Sequence, residues 1–187
     1  MTDIVLASKS PRRRELFSLI TQYYTAVEPD INENRFIGLR AKQQTLKLAE
    51  EKCEKTAPEY PESTVIGCDT LVEFRKRVYG KPKDSDDAYR MLKELSGNTH
   101  NVYTGVCIKT DGKTVKFVCR TKVKFNKLEE TEIRSYVHSK DPLDKAGAYG
   151  VQSGAARYIK WIKGDYYNVM GLPVSAVYGV LKKCGKI

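Results

Sequence analysis

A chain of 187 residues, 41% hydrophobic and 30% charged, has the make-up of one soluble globular domain. It needs no covalent staples, since folding buries roughly 70% of the surface that the unfolded chain exposes. Lys and Arg number 33 against 23 Asp and Glu, a net charge of +10, which favours an anionic partner (nucleotide, nucleic acid or acidic membrane) without choosing among them. The 5 cysteines are odd in number and lack a CxxC pair, which argues against a zinc site or a secreted disulfide framework.

Met1-Thr2-Asp3 runs directly into Ile4-Val5-Leu6-Ala7, a short strand, with neither a basic n-region nor a long apolar h-region. A cytoplasmic protein is expected, and no stretch has the length of a membrane span. After the loop Ser8-Lys9-Ser10, Ser10 takes the N-cap position and Pro11 the first helical position. Leu16, Leu19 and Ile20 supply the apolar stripe. Arg12, Arg13 and Arg14 crowd the first turn, where they oppose the helix dipole and repel one another. The free N–H groups point the same way, so the turn asks for an anion. Arg12 and Arg13 read as a phosphate site, and Arg14 as solvated surface.

Residues 23–27 read as a second strand, and residues 29–34 as a polar loop in which Glu33 is an isolated acid. A helix is expected over residues 38–57, with Leu39, Leu46, Ala49 and Cys53 at helical spacing. Lys52 falls near its C-terminal end, where the dipole alone accounts for it. By local physics neither Glu33 nor Lys52 stands out.

Val65 to Val72 is an apolar, β-branched run and reads as a buried strand. Gly67 within it allows close approach of backbone or ligand. Asp69 interrupts it with a carboxylate whose burial costs several kcal/mol unless a cation or donors face it. Two readings stay open from the strand alone: a functional acid, or a buried Asp bonded to loop backbone.

Arg75-Lys76-Arg77 is expected to be a basic hairpin turn, and Gly80-Lys81-Pro82 a breaker loop. Lys81 is either a turn cation or a side chain reaching a crevice beside Asp69. Asp84 to Asp87 offer N-caps for a helix through Leu95, closed by Ser96-Gly97. Residues 101–109 and 114–125 are strands joined at Asp111-Gly112. In the second, Val115 to Phe125 alternate with Lys116, Arg120, Lys122 and Lys124, the pattern of a half-buried sheet with a solvated basic face. A nucleic-acid platform would add stacking aromatics, and this strand's basic face has none. A helix over 129–139 and a glycine-punctuated loop over 145–154 follow, the loop being a second candidate anion site. A strand over 157–162, a turn at Gly164-Asp165 and a closing helix over 173–184 complete the chain. His100 and His138 are isolated and read as structural.

Six blocks occur in order: LASKSPRR at 6–13, GCDT at 67–70, GKP at 80–82, LSGNTH at 95–100, DKAGAYGVQ at 144–152 and GDYYNVMGLP at 164–173. Together they resemble the Maf family of nucleoside triphosphate pyrophosphatases over essentially the whole chain. The resemblance implies a single α/β domain, residues 1–187, with an inosine-triphosphatase-like fold: an elongated mixed β-sheet flanked by helices, in two lobes with a central cleft. It implies hydrolysis of a nucleoside triphosphate to the monophosphate and pyrophosphate with a divalent metal, Mg²⁺ or Mn²⁺. Carried over position by position, Asp69 is the proton acceptor. Ser8, Arg13, Lys52 and Lys81 match phosphate-binding positions, and Glu33 matches a position linked to metal or water handling, with Asp69 as its companion. Arg12, Thr70 and Gln152 match the positions tied to base selection.

Arg at position 12, where a subgroup acting on 7-methyl-GTP has Trp, points to dTTP and UTP, with modified pyrimidine nucleotides as further substrates. Two residues depart from the family pattern: Ser153 where Gly commonly follows the Gln, and Lys9 for a small residue. The expected partner is a small nucleotide, with no stable nucleic acid and no membrane, and the family's frequent dimers allow a homodimer. The competing readings are a pyrophosphatase for 7-methyl-GTP or a non-canonical purine triphosphate, and a non-catalytic basic nucleic-acid-binding protein.

Overall fold

The computed structural model describes residues 3–187; Met1 and Thr2, which precede the first expected strand, lie outside them. Seven strands form one mixed sheet in the order β2-β1-β3-β5-β6-β7, with β4 paired to β3. They are β1 (Ile4–Ala7), β2 (Thr25–Val27), β3 (Thr64–Phe74), β4 (Arg77–Tyr79), β5 (Thr99–Thr110), β6 (Lys113–Phe125) and β7 (Ile159–Lys163). β1 runs parallel to β2 and β3, and the other pairs are antiparallel. Both expected hairpins form. Asp111-Gly112 (φ 46° and 70°) and Arg75-Lys76 (φ 47° and 68°) each put two successive residues in the left-handed region, the backbone that matches the twist of paired strands.

Among the described residues six α-helices flank the sheet: α1 (Pro11–Ser18), α2 (Ala41–Thr56), α3 (Ser85–Leu95), α4 (Glu130–His138), α5 (Tyr166–Met170) and α6 (Val174–Lys183). Ser10 caps α1 as expected, accepting from the Arg13 N–H, and the Asp84 carboxylate caps α3 at the Asp87 N–H, 2.8 Å away. The expected stripes of α1 and α2 are corrected. α1 stops at Ser18 and buries Leu16 and Phe17, while Leu19 is 62% exposed. In α2 the buried side carries Ala41, Thr45, Leu48, Ala49, Lys52 and Cys53, so Leu39 and Leu46 are not its core anchors. Tyr23 is exposed and precedes β2, and residues Gly154–Tyr158 form a 3-10 turn before β7. α5, on the block 164–173, was not expected as a helix.

Period-two alternation assigns each strand residue to a face. One face carries two apolar masses. Ile66, Cys68, Val106 and Ile108 pack with Leu16 and Phe17 of α1 and Val177 and Leu181 of α6. Val72, Val102, Val123 and Phe125 pack with Leu92 of α3 and Ile133 of α4. Between these lobes lies a polar waist. Thr70 and Thr104 exchange a hydroxyl hydrogen bond at 2.9 Å, and Thr104 Oγ1 donates to the Asn168 carbonyl of α5 at 3.0 Å. On the opposite face α2 packs Ala49 and Cys53 onto Val5, Val65 and Cys107. All five cysteines are free thiols. No helix of the described residues is long and apolar enough to cross a membrane.

Candidate active site

The site follows from a gap in strand pairing. β1 pairs with β3 only as far as Ala7 opposite Gly67, and β4 begins pairing with β3 at Val72. Residues 68–71 therefore have no neighbour on that edge. Asp69 and its neighbour Thr70 point to opposite faces there, and both line a cleft of about 1440 Å³.

On the α2 side Asp69, 7% exposed, accepts from Lys52 Nζ at 2.7 Å. Lys52 is itself 6% exposed and also reaches the Cys68 carbonyl and Glu33 Oε1, each at 3.4 Å. One buried ammonium thus ties the two carboxylates together. Dipole stabilisation at a helix end, sufficient by sequence alone, is not its main interaction. The second oxygen of Asp69 accepts no hydrogen bond among the described residues. Burial would raise the Glu33 pKa, but Lys52, Lys81 and Arg13 outweigh it and hold the carboxyl below its usual value. The neighbouring Cys68 thiol is pushed up to about 12 by burial, which removes it as a nucleophile.

On the other side Arg13 gathers the waist. Its Nε donates to the Gly171 carbonyl at 2.9 Å, and its terminal nitrogens donate to Thr70 Oγ1 at 3.1 Å and Ser8 Oγ at 3.4 Å. Arg12 leaves the same turn in another direction. It donates to Asp144 Oδ2 at 2.7 Å and to the Asp144 carbonyl at 3.1 Å, strapping α1 to the loop after α4. The arginine turn is therefore occupied by protein acceptors, yet both side chains face the cleft.

The cleft collects every residue singled out from the sequence: Ser8, Arg12, Arg13, Glu33, Lys52, Asp69, Thr70, Lys81 and Gln152. Lys81 and Gln152 line it without a hydrogen-bonded partner among the described residues. Sequence reasoning missed Asp144 and the role of Lys145, which donates to Asp144 Oδ1 at 2.6 Å and Asp141 Oδ1 at 3.0 Å. Their only signal was membership of the 144–152 block. The two departures are accommodated: Lys9 pairs with Glu28 at the cleft wall, and Ser153 Oγ donates to Asp141 Oδ2 at 2.7 Å.

Among the described residues no group of three His, Cys, Asp or Glu forms a ready metal cage. Asp69 and Glu33 together still fit a hard divalent ion, because Mg²⁺ is commonly held by one or two carboxylates with the remaining positions filled by phosphate oxygens and water.

The family model described as Maf-like protein matches residues 3–184. The chain is 43% identical over 183 residues to a dTTP/UTP pyrophosphatase of Bacillus cytotoxicus, covering 98% of this chain and 96% of that one. It is 42% identical to the protein of the same name from Carboxydothermus hydrogenoformans, covering 97% of this chain and 98% of that one. Among solved structures, the Ham1 protein of Staphylococcus aureus superposes with a TM-score of 0.53 at 15% identity, covering 97% of this chain and 99% of that one. A HAM1 protein from Coxiella burnetii gives 0.52 at 14% identity, covering 98% of this chain and all of that one. These two likenesses are of fold.

Proposed function

The chain belongs to the Maf family, and from that premise we propose that its cleft hydrolyses dTTP and UTP at the α–β phosphoanhydride, releasing the nucleoside monophosphate and pyrophosphate. The observation that carries this reading is the Asp69–Lys52–Glu33 group, two carboxylates on one buried cation in a cleft that also presents Arg13 and Lys81.

Asp69 has the role of orienting the attacking water and taking its proton. Such help is worth on the order of 10²–10⁴ in rate, about 3–5 kcal/mol, whereas enzymes lower barriers by at least roughly 8 kcal/mol. The remainder falls to fixed cations facing the charge that develops on the departing pyrophosphate. Arg13, Lys52 and Lys81 supply them, and Ser8 adds a hydroxyl beside Arg13. Asp69 and Glu33 are the residues that would hold Mg²⁺ or Mn²⁺, which supplies charge neutralisation on the phosphates when bound. Base selection falls to Arg12, Thr70 and Gln152 at the cleft wall. A small nucleotide, rather than nucleic acid or a membrane surface, is the partner of this cleft.

A panel of triphosphates assayed for pyrophosphate release with Mg²⁺ tests the proposal. Release from dTTP and UTP at kcat/KM at least tenfold above GTP, ITP and 7-methyl-GTP supports it. Preference for 7-methyl-GTP or a purine triphosphate would reassign the substrate, and no release from any of them would remove the enzymatic reading.

A further inference from the structure

Half of one sheet face is bare. On the face that carries Gly67, Asp69 and Gly105, the packed helix is α2, and it lies over β3 and β5. Beyond it the register sets Tyr103 of β5 opposite Arg120 of β6, Lys122 opposite Lys163 of β7, and Lys124 opposite Trp161. Residues directly opposed in an antiparallel pair share a face, so these six side chains stand on one surface. Arg120, Lys122 and Lys163 are exposed, and the Trp161 indole is 41% exposed. Lys116, next to the part that α2 covers, pairs with Glu50 at 2.6 Å. Arg120, Lys122, Lys124 and Lys163 pair with no carboxylate among the described residues.

Two features call for an anion here. Lys122 directly opposite Lys163 is a like-charge cross-strand pair, which destabilises a sheet unless something compensates it. The cations are also interleaved with two aromatic residues, Tyr103 and Trp161. By strand spacing and rise these stand roughly 16 Å apart. Within β6 alone the basic face has no aromatic; β7 and β5 bring one from each side. At the α2 border the surface continues into a shallow hollow of about 450 Å³, where Lys42 stands beside Tyr103 and Arg40 is held by the Glu73 carboxylate at 2.6 Å. A second copy of the chain would bring two like-charged faces together, which disfavours a homodimer through this surface.

We propose that this face binds single-stranded nucleic acid without sequence preference, phosphates lying on Arg120, Lys122 and Lys163 and bases stacking on Trp161 and Tyr103. Cations that track a backbone beside aromatics that take any base are what sequence-tolerant single-strand binding needs. α2 separates this face from the cleft: Gln44, Leu48 and Lys52 line the cleft, and Arg40, Lys42, Gln43 and Leu46 line the hollow. The proposal therefore stands or falls independently of the pyrophosphatase reading.

Trp161 is the sole tryptophan of the chain, so its fluorescence reads this face directly. With dTMP present to fill the cleft, an oligothymidylate of about 12 nucleotides should quench it. A dissociation constant of about 10⁻⁴–10⁻⁶ M is expected, with affinity falling as salt rises at a log–log slope of roughly −2. The double variant Lys122→Glu/Lys163→Glu should bind at least tenfold more weakly. Trp161→Ala, read by anisotropy of a labelled oligonucleotide, should bind about 5- to 150-fold more weakly. Both should release pyrophosphate from dTTP at the parental rate. Unchanged fluorescence, or quenching that survives the charge reversal, would overturn the proposal. Binding to anionic lipid vesicles with no binding to the oligonucleotide would reassign the face to a membrane surface. Quenching that tracks self-association in sedimentation would reassign it to a second copy.

Discussion

Gly67 of β3 and Ala49 of α2 approach so closely that a methyl group on Gly67 would stand 2.3 Å from the Ala49 carbonyl oxygen. Gly105 repeats the contact one strand over, its missing methyl lying 2.4 Å from the Thr45 carbonyl. Two residues along β3 from Gly67 comes Asp69, and three along α2 from Ala49 comes Lys52. The bare glycine backbone is thus what lets the ammonium reach the carboxylate at 2.7 Å.

Gly67→Ala should therefore injure stability and chemistry together. The methyl meets backbone, which cannot rotate away, so α2 must lift, at a cost of roughly 2–3 kcal/mol. Thermal unfolding should show the loss. Assayed well below the lowered melting temperature, pyrophosphate release should still fall at least tenfold. A variant that is less stable yet fully active would show that Lys52 does not depend on this contact.

Asp69→Asn keeps the size of the side chain and removes the proposed base. Turnover should drop by 10²–10⁴, while the dissociation constant for a non-hydrolysable dTTP analogue stays within a few-fold. Lys52→Met strips the cation from two carboxylates, and breaking a buried pair from one side costs about 3 kcal/mol. Adding Asp69→Asn to Lys52→Met should recover part of that loss, because one uncompensated charge disappears. A strictly additive double variant, measured by denaturant unfolding, would argue that the pair is not energetically coupled.

His100 gives the fold a pH dependence that is separable from the active site. It is 1% exposed, its Nε2 is 2.8 Å from the Tyr149 hydroxyl, and its Nδ1 has no hydrogen-bond partner. Burial lowers its pKa from 6.5 to about 3. Between those values the unfolded chain takes up a proton that the folded chain refuses, so stability falls as the pH drops, by a little over 1 kcal/mol per pH unit. His100→Gln should flatten the stability profile between pH 6 and 5, above the range where carboxylates titrate. An unchanged slope in urea unfolding would place the acid sensitivity elsewhere.

Elements whose signals are local could be read in advance. Asp111-Gly112 fixed a hairpin, Ser10-Pro11 opened a helix, and the alternation of Val115 to Phe125 told which side of β6 is buried. Lys52 and Glu33 were anonymous by local physics, because their significance lies in meeting Asp69, 17 residues from Lys52 along the chain; resemblance alone singled them out. Asp144 escaped for the same reason, its partner Arg12 being 132 residues away. The basic face of β6 looked empty of aromatics because Trp161 arrives only through the β6–β7 pairing. The short α5 was missed since five residues hold too little periodicity, although Asp165 caps it by accepting from the Tyr167 N–H at 2.8 Å.

Arg12 and Asp144 test base selection. The guanidinium is held by both the carboxylate and the carbonyl of Asp144, so it is aimed before any nucleotide arrives. Arg12→Ala should raise KM for dTTP and UTP about tenfold, equivalent to about 1.4 kcal/mol, with little change in kcat. Asp144→Asn keeps one acceptor oxygen and should give a smaller effect in the same direction. A fall in kcat with KM unchanged would move Arg12 from the base to the reacting phosphates.

Glu33 tests the proposed metal requirement. Its carboxyl is held below the usual range by Lys52, Lys81 and Arg13 in spite of burial, so it is ionised throughout the neutral range and available as a hard oxygen ligand. Removing divalent ions with EDTA should stop pyrophosphate release, and Mg²⁺ or Mn²⁺ should restore it. Glu33→Gln keeps the shape but removes the charge, and a carboxylate is the preferred partner of such ions. The variant should need at least tenfold more Mg²⁺ for half-maximal rate, and it should bind Mn²⁺ correspondingly more weakly in calorimetry with the non-hydrolysable dTTP analogue present. If the Mg²⁺ requirement is unchanged and only nucleotide binding weakens, Glu33 acts by placing Lys52 and Lys81, and the ion is held by Asp69 and the phosphates.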